Sequence, residues 1–464
     1  MHTIAGTRTT LADRPALVAR YDRLRARSAM LFNLIDSAAY YTRPITLRHP
    51  IVFYEGHLPA FAVNVLIKKG LGRPGVDERL EQLFARGIDP HDQSEADGVD
   101  ERTRGGWPSR AEVRAYVDAA DRLLRDALLH EDLLRDDVPV LRGGEAVFTV
   151  LEHEAMHQET MLYMWHRLPY ALKAAHAPIG YSPWVSGRAP SRSTVQIPDG
   201  DATLGARRDQ VEFGWDNEFD RHTVRVPAFD VDVHSVTNAD WLQFMEDGGY
   251  TNESLWRAED WAWLRDEGRR HPAFWIAQGG MYLWRAQFEE IELPLAWPVY
   301  VSHAEAAAFA TWAGRALPTE AQYHRAAFGE PGGGERGFPW GGDPPADTQG
   351  HYDFAEWDPA PAGSHPAGVS AWGVHDLMGN GWEWTSTVFG PFDGFTPMPS
   401  YPEYSADFFD GRHYVLKGAS PVTARELLRP SFRNWFRPHY PYVYAKFRTV
   451  SRDAGSSVDR TSVR

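Results

Sequence analysis

Near residue 180 the patterning of this chain of 464 residues changes character, and one core cannot serve both textures. Before that point apolar residues recur at helical spacing. "ALVARYDRLRARSAMLFNLI" covers residues 16–35, and "IVFYEGHLPAFAVNVLIKKGL" follows His49 and Pro50. "SRAEVRAYVDAADRLLRDALL" opens at Ser109, and a fourth segment spans residues 144–168. Recurrence at i, i+3 and i+4 marks amphipathic helix. Ser109 and Glu112 have the spacing of a capping box, which places the third start. Four helices predict a bundle, an architecture that builds metal sites from inward-facing side chains. After "GYSPWVSGRAPSRSTVQIPDGD", residues 180–201, short runs such as "HTVRVPAFDVDV" alternate with Gly, Pro, Asn and Trp. Helical stretches become brief, as in "NADWLQFMEDGG" and "SHAEAAAFATWAG". This predicts an α+β domain with long loops, entered through a Pro/Ser/Gly-rich linker. The length also favours two domains over one.

Charge and cysteine usage narrow the function. A formal net charge of -15 argues against nucleic acid or an anionic membrane as partner, since both select basic surfaces. No apolar run is long enough for a membrane span, and the N-terminal residues carry no apolar signal segment, so a cytoplasmic location is expected. There are no cysteines. Disulfides, thiolate metal sites and cysteine nucleophiles are therefore excluded. Any metal must be held by nitrogen or oxygen, and any sulfur chemistry must use sulfur from a substrate. The 18 tryptophans suit a loop-rich fold that fills its core with large rings.

The stretch "VLEHEAMHQETML", from Val150, carries His153 and His157. On a helix they lie about 40° apart on one face and can reach one ion. The pair is either a metal site or two unrelated histidines. "HEAMH" also has the HExxH form, in which the acidic residue, here Glu154, is the general base of a zinc hydrolase. His57, inside the apolar "FYEGHLPAF", is the candidate third ligand; otherwise it is a satisfied core histidine. Glu159 lies about 120° from the nearest ligand position and suits a carboxylate that orients an imidazole. Three neutral imidazoles leave coordination positions open, for iron(II), zinc or another divalent ion.

"EGH" at Glu55 and "HEAMHQE" at His153 together resemble the DinB-like helical bundle, whose metal triad is one His plus HxxxHxE. The remainder resembles the formylglycine-generating, sulfatase-modifying fold, a C-type-lectin-like α+β domain. Its marks are "FGWDNEF" at Phe213, "VTNADWLQF" at Val236, "WPVYVSHAEAAAFATWAGRALPTEAQYHRAA" from Trp297, "GVHDLMGNGWEWTST" from Gly373 and "RPSFRNWF" from Arg429. A bundle over residues 10–180 followed by a lectin-like domain over 195–453 is the order of the sulfoxide synthases of ergothioneine and ovothiol biosynthesis and their selenium-using relatives. The resemblance implies a nonheme Fe(II) enzyme. It joins a thiol to the imidazole of histidine or hercynine with O2 and forms a sulfoxide. It implies His57, His153 and His157 as iron ligands. It implies Tyr401 as catalytic proton or hydrogen donor and Tyr404 as substrate contact, in "PSYPEYSADFF", with Phe392 of "GPFDGF" the alternative occupant of the catalytic position. Asn434 and Trp435 of "FRNWF" would contact the amino or trimethylammonium end, where a Trp face suits a quaternary cation.

Three departures bear on the substrates. Hercynine-using relatives carry Gln where this chain has Met156, on the ligand face, and a thioether cannot replace an amide hydrogen bond to an imidazole. Relatives that use γ-glutamylcysteine follow RNW with Asp and, four residues on, Arg; this chain has Phe436 and Tyr440. That favours cysteine as donor, with Arg437 and His439 as a different anion contact. The family's RGGS is "LKGAS" here, with Lys417 and Ala419. A selenium donor in place of the thiol, as in the C–Se bond-forming relatives, is an alternative within the same family, and two other readings stand beside the synthase. One is a metal-dependent thiol transferase of the DinB class. The other is a non-catalytic lectin-like binding protein.

Overall fold

A computed structural model describes residues 11–85, 106–173, 182–185 and 187–452. The expected domain limits at residues 10, 180 and 453, and Ser186 in the linker, lie outside the described residues. The chain forms two compact units. The first is Met1–Tyr181 joined by Ala206–Phe219 and Gly394–Asp407; the second is Ser182–Gly205, Asp220–Asp393 and Phe408–Arg464. Two segments from within the lectin-like sequence therefore pack as part of the helical unit.

The first unit contains α1 (Arg14–Phe32), α2 (Ile51–Ala62), α3 (Glu78–Leu83), α4 (Arg110–His130) and α5 (Glu145–Arg167). The four long helices match the expected bundle; α3 has no counterpart in the sequence reading. The start of α4 is where its cap predicts: Ser109 Oγ accepts the Glu112 backbone N–H at 3.2 Å. All of α2 is buried, and it packs on α4 and α5, while α1 packs on the same two helices. Pro59 inside α2 lacks the N–H of a regular helical turn, and beyond Ala62 the chain continues as a π-helix over Val63–Gly70. Arg25 of α1 ties the bundle together, with Nε 3.0 Å from Asp121 of α4 and Nη1 2.8 Å from Glu154 of α5.

The second unit contains α6 (Asn238–Glu246), α7 (Ala258–Asp266), α8 (His303–Trp312) and α9 (Glu320–Phe328). Capping boxes at Thr237 and Asp240, Ser302 and Glu305, and Thr319 and Gln322 start α6, α8 and α9. Its strands are β1 (Thr194–Ile197), β2 (Gly200–Leu204), β3 (His222–Val226), β4 (Phe229–Asp232), β5 (Trp275–Gln278), β6 (Met281–Arg285), β7 (Glu290–Glu292), β8 (Gly381–Val388), β9 (Tyr414–Ala419), β10 (Asn434–Phe436) and β11 (Ala445–Lys446). The central sheet runs β10-β9-β8-β11, with β11 parallel to β8 and the other pairs antiparallel. Small sheets β1-β4, β2-β3 and β5-β6-β7 surround it in sequence. Trp241, Trp284, Trp297, Trp382 and Trp384 are fully buried, so the tryptophan-rich sequence fills this loop-rich core. Among the described residues no helix is long and apolar enough to cross a membrane.

Inside this core Glu383 of β8 meets Lys446 Nζ at 2.7 Å and Arg448 Nε at 2.7 Å. Burial pushes the Glu383 carboxyl up, but Arg448 and Lys446 override it and hold the group below the usual carboxylate range. A carboxylate with a depressed folded-state pKa stabilises above its unfolded pKa, and that stability is lost as pH falls through the folded value. Glu383→Gln removes the carboxylate to which both buried cations are bonded. Stability is expected to fall by about 3–5 kcal/mol at pH 7, measured by urea unfolding. A midpoint unchanged from the parent would show that the triad does not hold the sheet together.

Candidate metal centre

Helix α5 presents three stripes at about 100° per residue. Glu154, Gln158 and Trp165 face α1. Glu154 Oε1 accepts from Arg25 and from the Ser28 hydroxyl. Gln158 Nε2 donates to the Leu24 carbonyl at 2.8 Å, and Trp165 Nε1 to the Leu31 carbonyl at 3.0 Å. Glu145, Thr149, Glu152 and Met156 form a second stripe. Glu145 Oε1 accepts the Ser400 N–H at 2.8 Å, and Thr149 Oγ1 lies 2.9 Å from Ser400 Oγ. Trp215 Nε1 donates to Glu152 Oε2 at 2.9 Å, and Tyr404 Oη to Met156 Sδ at 3.4 Å. His153 and His157 lie between these stripes.

His57 of α2 completes the cluster. One ring nitrogen from each of His57, His153 and His157 lies within 4.8 Å of the others. His57 Nδ1 sits 2.7 Å from the Phe84 carbonyl and therefore carries the proton, which leaves the Nε2 lone pair directed at His153 Nε2, 3.3 Å away. Burial lowers His57 to about 4, against an upward pull from that carbonyl. Burial, with the neighbouring imidazoles, also holds His153 and His157 well below the usual range. All three are neutral at pH 7, the form that ligates metal. His157 Nδ1 is buried and has no hydrogen-bond partner among the described residues. The donor set fits a divalent ion: converging neutral nitrogens, one tautomer fixed by the backbone.

Apolar rings surround the three imidazoles. Phe61 stacks on His153 at 3.6 Å and Phe53 on His57 at 4.9 Å, while Tyr54 lies 5.9 Å from His157. Gly56 lets the Phe84 ring lie against α2, since a Cβ there would overlap it. That close approach brings the Phe84 carbonyl to His57. The orienting contact expected of a carboxylate such as Glu159 is thus made, for His57, by a backbone carbonyl; Glu159 itself is buried in α5. Glu154 is held by Arg25 and Ser28 on the stripe that faces α1, so the hydrolase reading of "HEAMH" loses its base.

Tyr401 lies 5.1 Å from Phe61 and 6.3 Å from His153, ring to ring. Tyr404 stacks on Trp215 at 3.9 Å and lies 5.8 Å from Tyr401. The first unit therefore brings together His57, His153, His157, Met156, Tyr401 and Tyr404. The sequence reading missed Phe61, Phe84 and Trp215 as parts of this site. Phe61 stands one helical turn after His57 and was visible by spacing; the Phe84 carbonyl left no signal.

The other expected site residues lie in the second unit. Asn434 and Trp435 are in β10, where Asn434 Oδ1 accepts the Trp435 N–H at 2.9 Å and the Trp435 ring stacks on Phe389 at 4.2 Å. The Arg437 carbonyl accepts the Tyr440 N–H at 3.2 Å, and Phe436 and Tyr440 stack at 5.3 Å. His439, expected in an anion contact, instead meets the Asp260 carboxylate at 2.7 Å and stacks on Trp263. Phe392 packs on Arg433 and His222. Lys417 is buried and donates to the Pro430 and Phe432 carbonyls, so the departure at "LKGAS" is structural.

Residues 20–161 match the DinB superfamily, and residues 184–453 match the sulfatase-modifying factor enzyme 1-like domain. A hercynine oxygenase of Mycolicibacterium smegmatis is 34% identical over 454 residues, which cover 95% of this chain and 98% of the relative. The chain belongs to the hercynine oxygenase family. A second family member, from Mycobacterium tuberculosis, is 34% identical over 435 residues, 92% of this chain and 96% of that one. Ergothioneine biosynthesis protein 1 of Neurospora crassa is 26% identical over 520 residues, 95% of this chain and 57% of the longer relative. The expected architecture, a DinB-like bundle followed by a lectin-like domain, is the family's.

For this family member, His157→Ala removes one converging nitrogen from the first unit. Equilibrium dialysis against iron(II) under anaerobic conditions is expected to give about one ion per parent chain and at least a tenfold weaker affinity for the variant. Equal stoichiometry and affinity would show that the ion is held elsewhere.

Proposed function

We propose that this chain is an O2-dependent, nonheme iron(II) sulfoxide synthase that joins a thiol to the imidazole ring of hercynine or histidine, as in ergothioneine biosynthesis. The observation that carries the reading is the convergence of three imidazoles, two buried and one half-buried, with the Tyr401 ring 6.3 Å from that of His153. In the overall reaction the thiol loses its S–H hydrogen and the imidazole its ring C–H hydrogen as the C–S bond forms. One oxygen atom of O2 enters the sulfoxide and the other leaves in water, so O2 takes four electrons. His57, His153 and His157 would hold the iron(II), which would supply open coordination positions for the two co-substrates and the redox chemistry of O2 reduction.

The chain's own groups set the environment. Phe53 and Phe61 fix two of the ligand rings and keep water from them. Tyr401 Oη supplies the proton that the reduced oxygen takes up. Tyr404, held on Trp215 and Met156, borders the acceptor ring. Met156 offers that ring a thioether in place of an amide, so acceptor recognition here relies less on a hydrogen bond from α5. Cysteine is the proposed donor: Phe436 and Tyr440, which stack on each other, bring no charge to the positions where relatives hold the ends of γ-glutamylcysteine.

Oxygen uptake with iron(II), a panel of thiols and either histidine or hercynine tests the reading. The expected product has the mass of both substrates plus one oxygen, less two hydrogens. A conjugate formed without O2 would instead establish a thiol transferase, and no uptake with any pair would sink the synthase reading. Tyr401→Phe is expected to keep its metal and to lower sulfoxide formation about 100-fold, with thiol oxidation taking over. Unchanged product composition would move the proton donor to another residue.

A further inference from the structure

The geometry points to Trp215 as a positioning residue that sets the Tyr401 and Tyr404 pair in register with the ligand-bearing helix. Its catalytic consequence rests on the proposed function; its structural role does not. Trp215 is fully buried. Its own backbone is fixed, since the Trp215 N–H donates to Glu218 Oε1 at 2.8 Å and the Ala206 N–H to the Glu218 carbonyl at 2.8 Å. The indole then reaches in two directions. Its Nε1–H donates to Glu152 Oε2 at 2.9 Å, and Glu152 is the residue before His153. Its face carries the Tyr404 ring at 3.9 Å and 27°. The Tyr404 N–H donates to the Tyr401 carbonyl at 3.1 Å, which fixes the turn between the two tyrosines. One rigid side chain thus links the backbone neighbour of a ligand to the phenol pair.

The tyrosine segment has separate fastenings. Ser400 is bonded to Glu145 and Thr149, the Met398 N–H reaches Asp216 Oδ2 at 3.4 Å, and Ser405 bonds to Asp216 and Asn217. Losing the indole N–H therefore leaves the segment attached and frees only the angular setting of the rings. An error of about 1 Å in such a group is enough to cost about 100-fold in rate. The step affected is proton delivery by Tyr401, so O2 continues to be consumed while less of it ends in sulfoxide.

Trp215→Phe keeps a ring against Tyr404 and removes the N–H; Glu152→Gln keeps an acceptor for the indole. Both are compared with the parent for iron(II) stoichiometry, sulfoxide formed per O2 consumed, and hydrogen exchange of the peptide spanning residues 398–407. Trp215→Phe is expected to bind iron fully, to exchange faster in that peptide, and to lose about tenfold in sulfoxide per O2. Glu152→Gln is expected to stay close to the parent in all three. Parent-like exchange and product yield in Trp215→Phe would overturn the assignment, as would loss of its iron, which would place the effect on His153 instead. A parent that makes no sulfoxide refutes the proposed function alone, because the exchange rates still decide whether Trp215 holds the tyrosine turn.

Discussion

A single helix has to satisfy three neighbours, and its pitch decides how. Helix α5 advances by about 100° per residue, so residues three, four or seven apart share a face. Glu154, Gln158 and Trp165 bond to α1 and anchor the helix. Glu145, Thr149, Glu152 and Met156 hold the segments around Trp215 and the two tyrosines. The histidines fall in the gap between these faces. Their direction is therefore determined by bonds that none of them makes. This is how a bundle aims ligands whose own rings contact chiefly apolar neighbours.

Burial then does the electrostatic work. An imidazole in water is partly protonated near neutral pH and repels a cation. Desolvation lowers all three histidines and keeps them neutral, whereas a carboxylate beside the rings would favour the imidazolium. The same dryness would penalise Glu154 if it faced the ion unpaired. Instead its charge is met by Arg25, whose second partner is Asp121. The helix thus carries an acidic residue on each side of His153 in sequence without placing either negative charge among the lone pairs: Glu154 turns to α1 and Glu152 to Trp215.

How much of this was readable from the sequence follows from how far each signal travels. The histidine pair and the start of α4 are local patterns, and helical periodicity places both. His57 was identified by its apolar surroundings and by family resemblance, and α2 does carry it to the pair. The Trp215 to Glu152 bond spans 63 residues and the His439 to Asp260 bond 179. No periodicity connects positions that far apart. "FGWDNEF" was therefore read as a mark of the lectin-like fold, although the segment packs in the helical unit. For the same reason His439 was expected to be available to an anion, while its partner is a carboxylate. Loops lack a repeating pattern, so neither segment that joins the helical unit from the lectin-like sequence announces itself.

Met156 shows how one exchange alters a site without dismantling it. It sits on the stripe that docks the tyrosine segment, close to the face used by the ligands. A Gln there would present an amide to the substrate; a thioether presents polarisable bulk and a weak acceptor. In this chain that acceptor is used by the Tyr404 hydroxyl. The stripe thus keeps its contact with the tyrosine segment while offering no amide donor at this position. The three histidine rings are aimed by the other contacts of α5 and do not depend on the side chain at this position. Position 156 can therefore change its hydrogen-bonding character while the three histidines and the tyrosine turn hold their places.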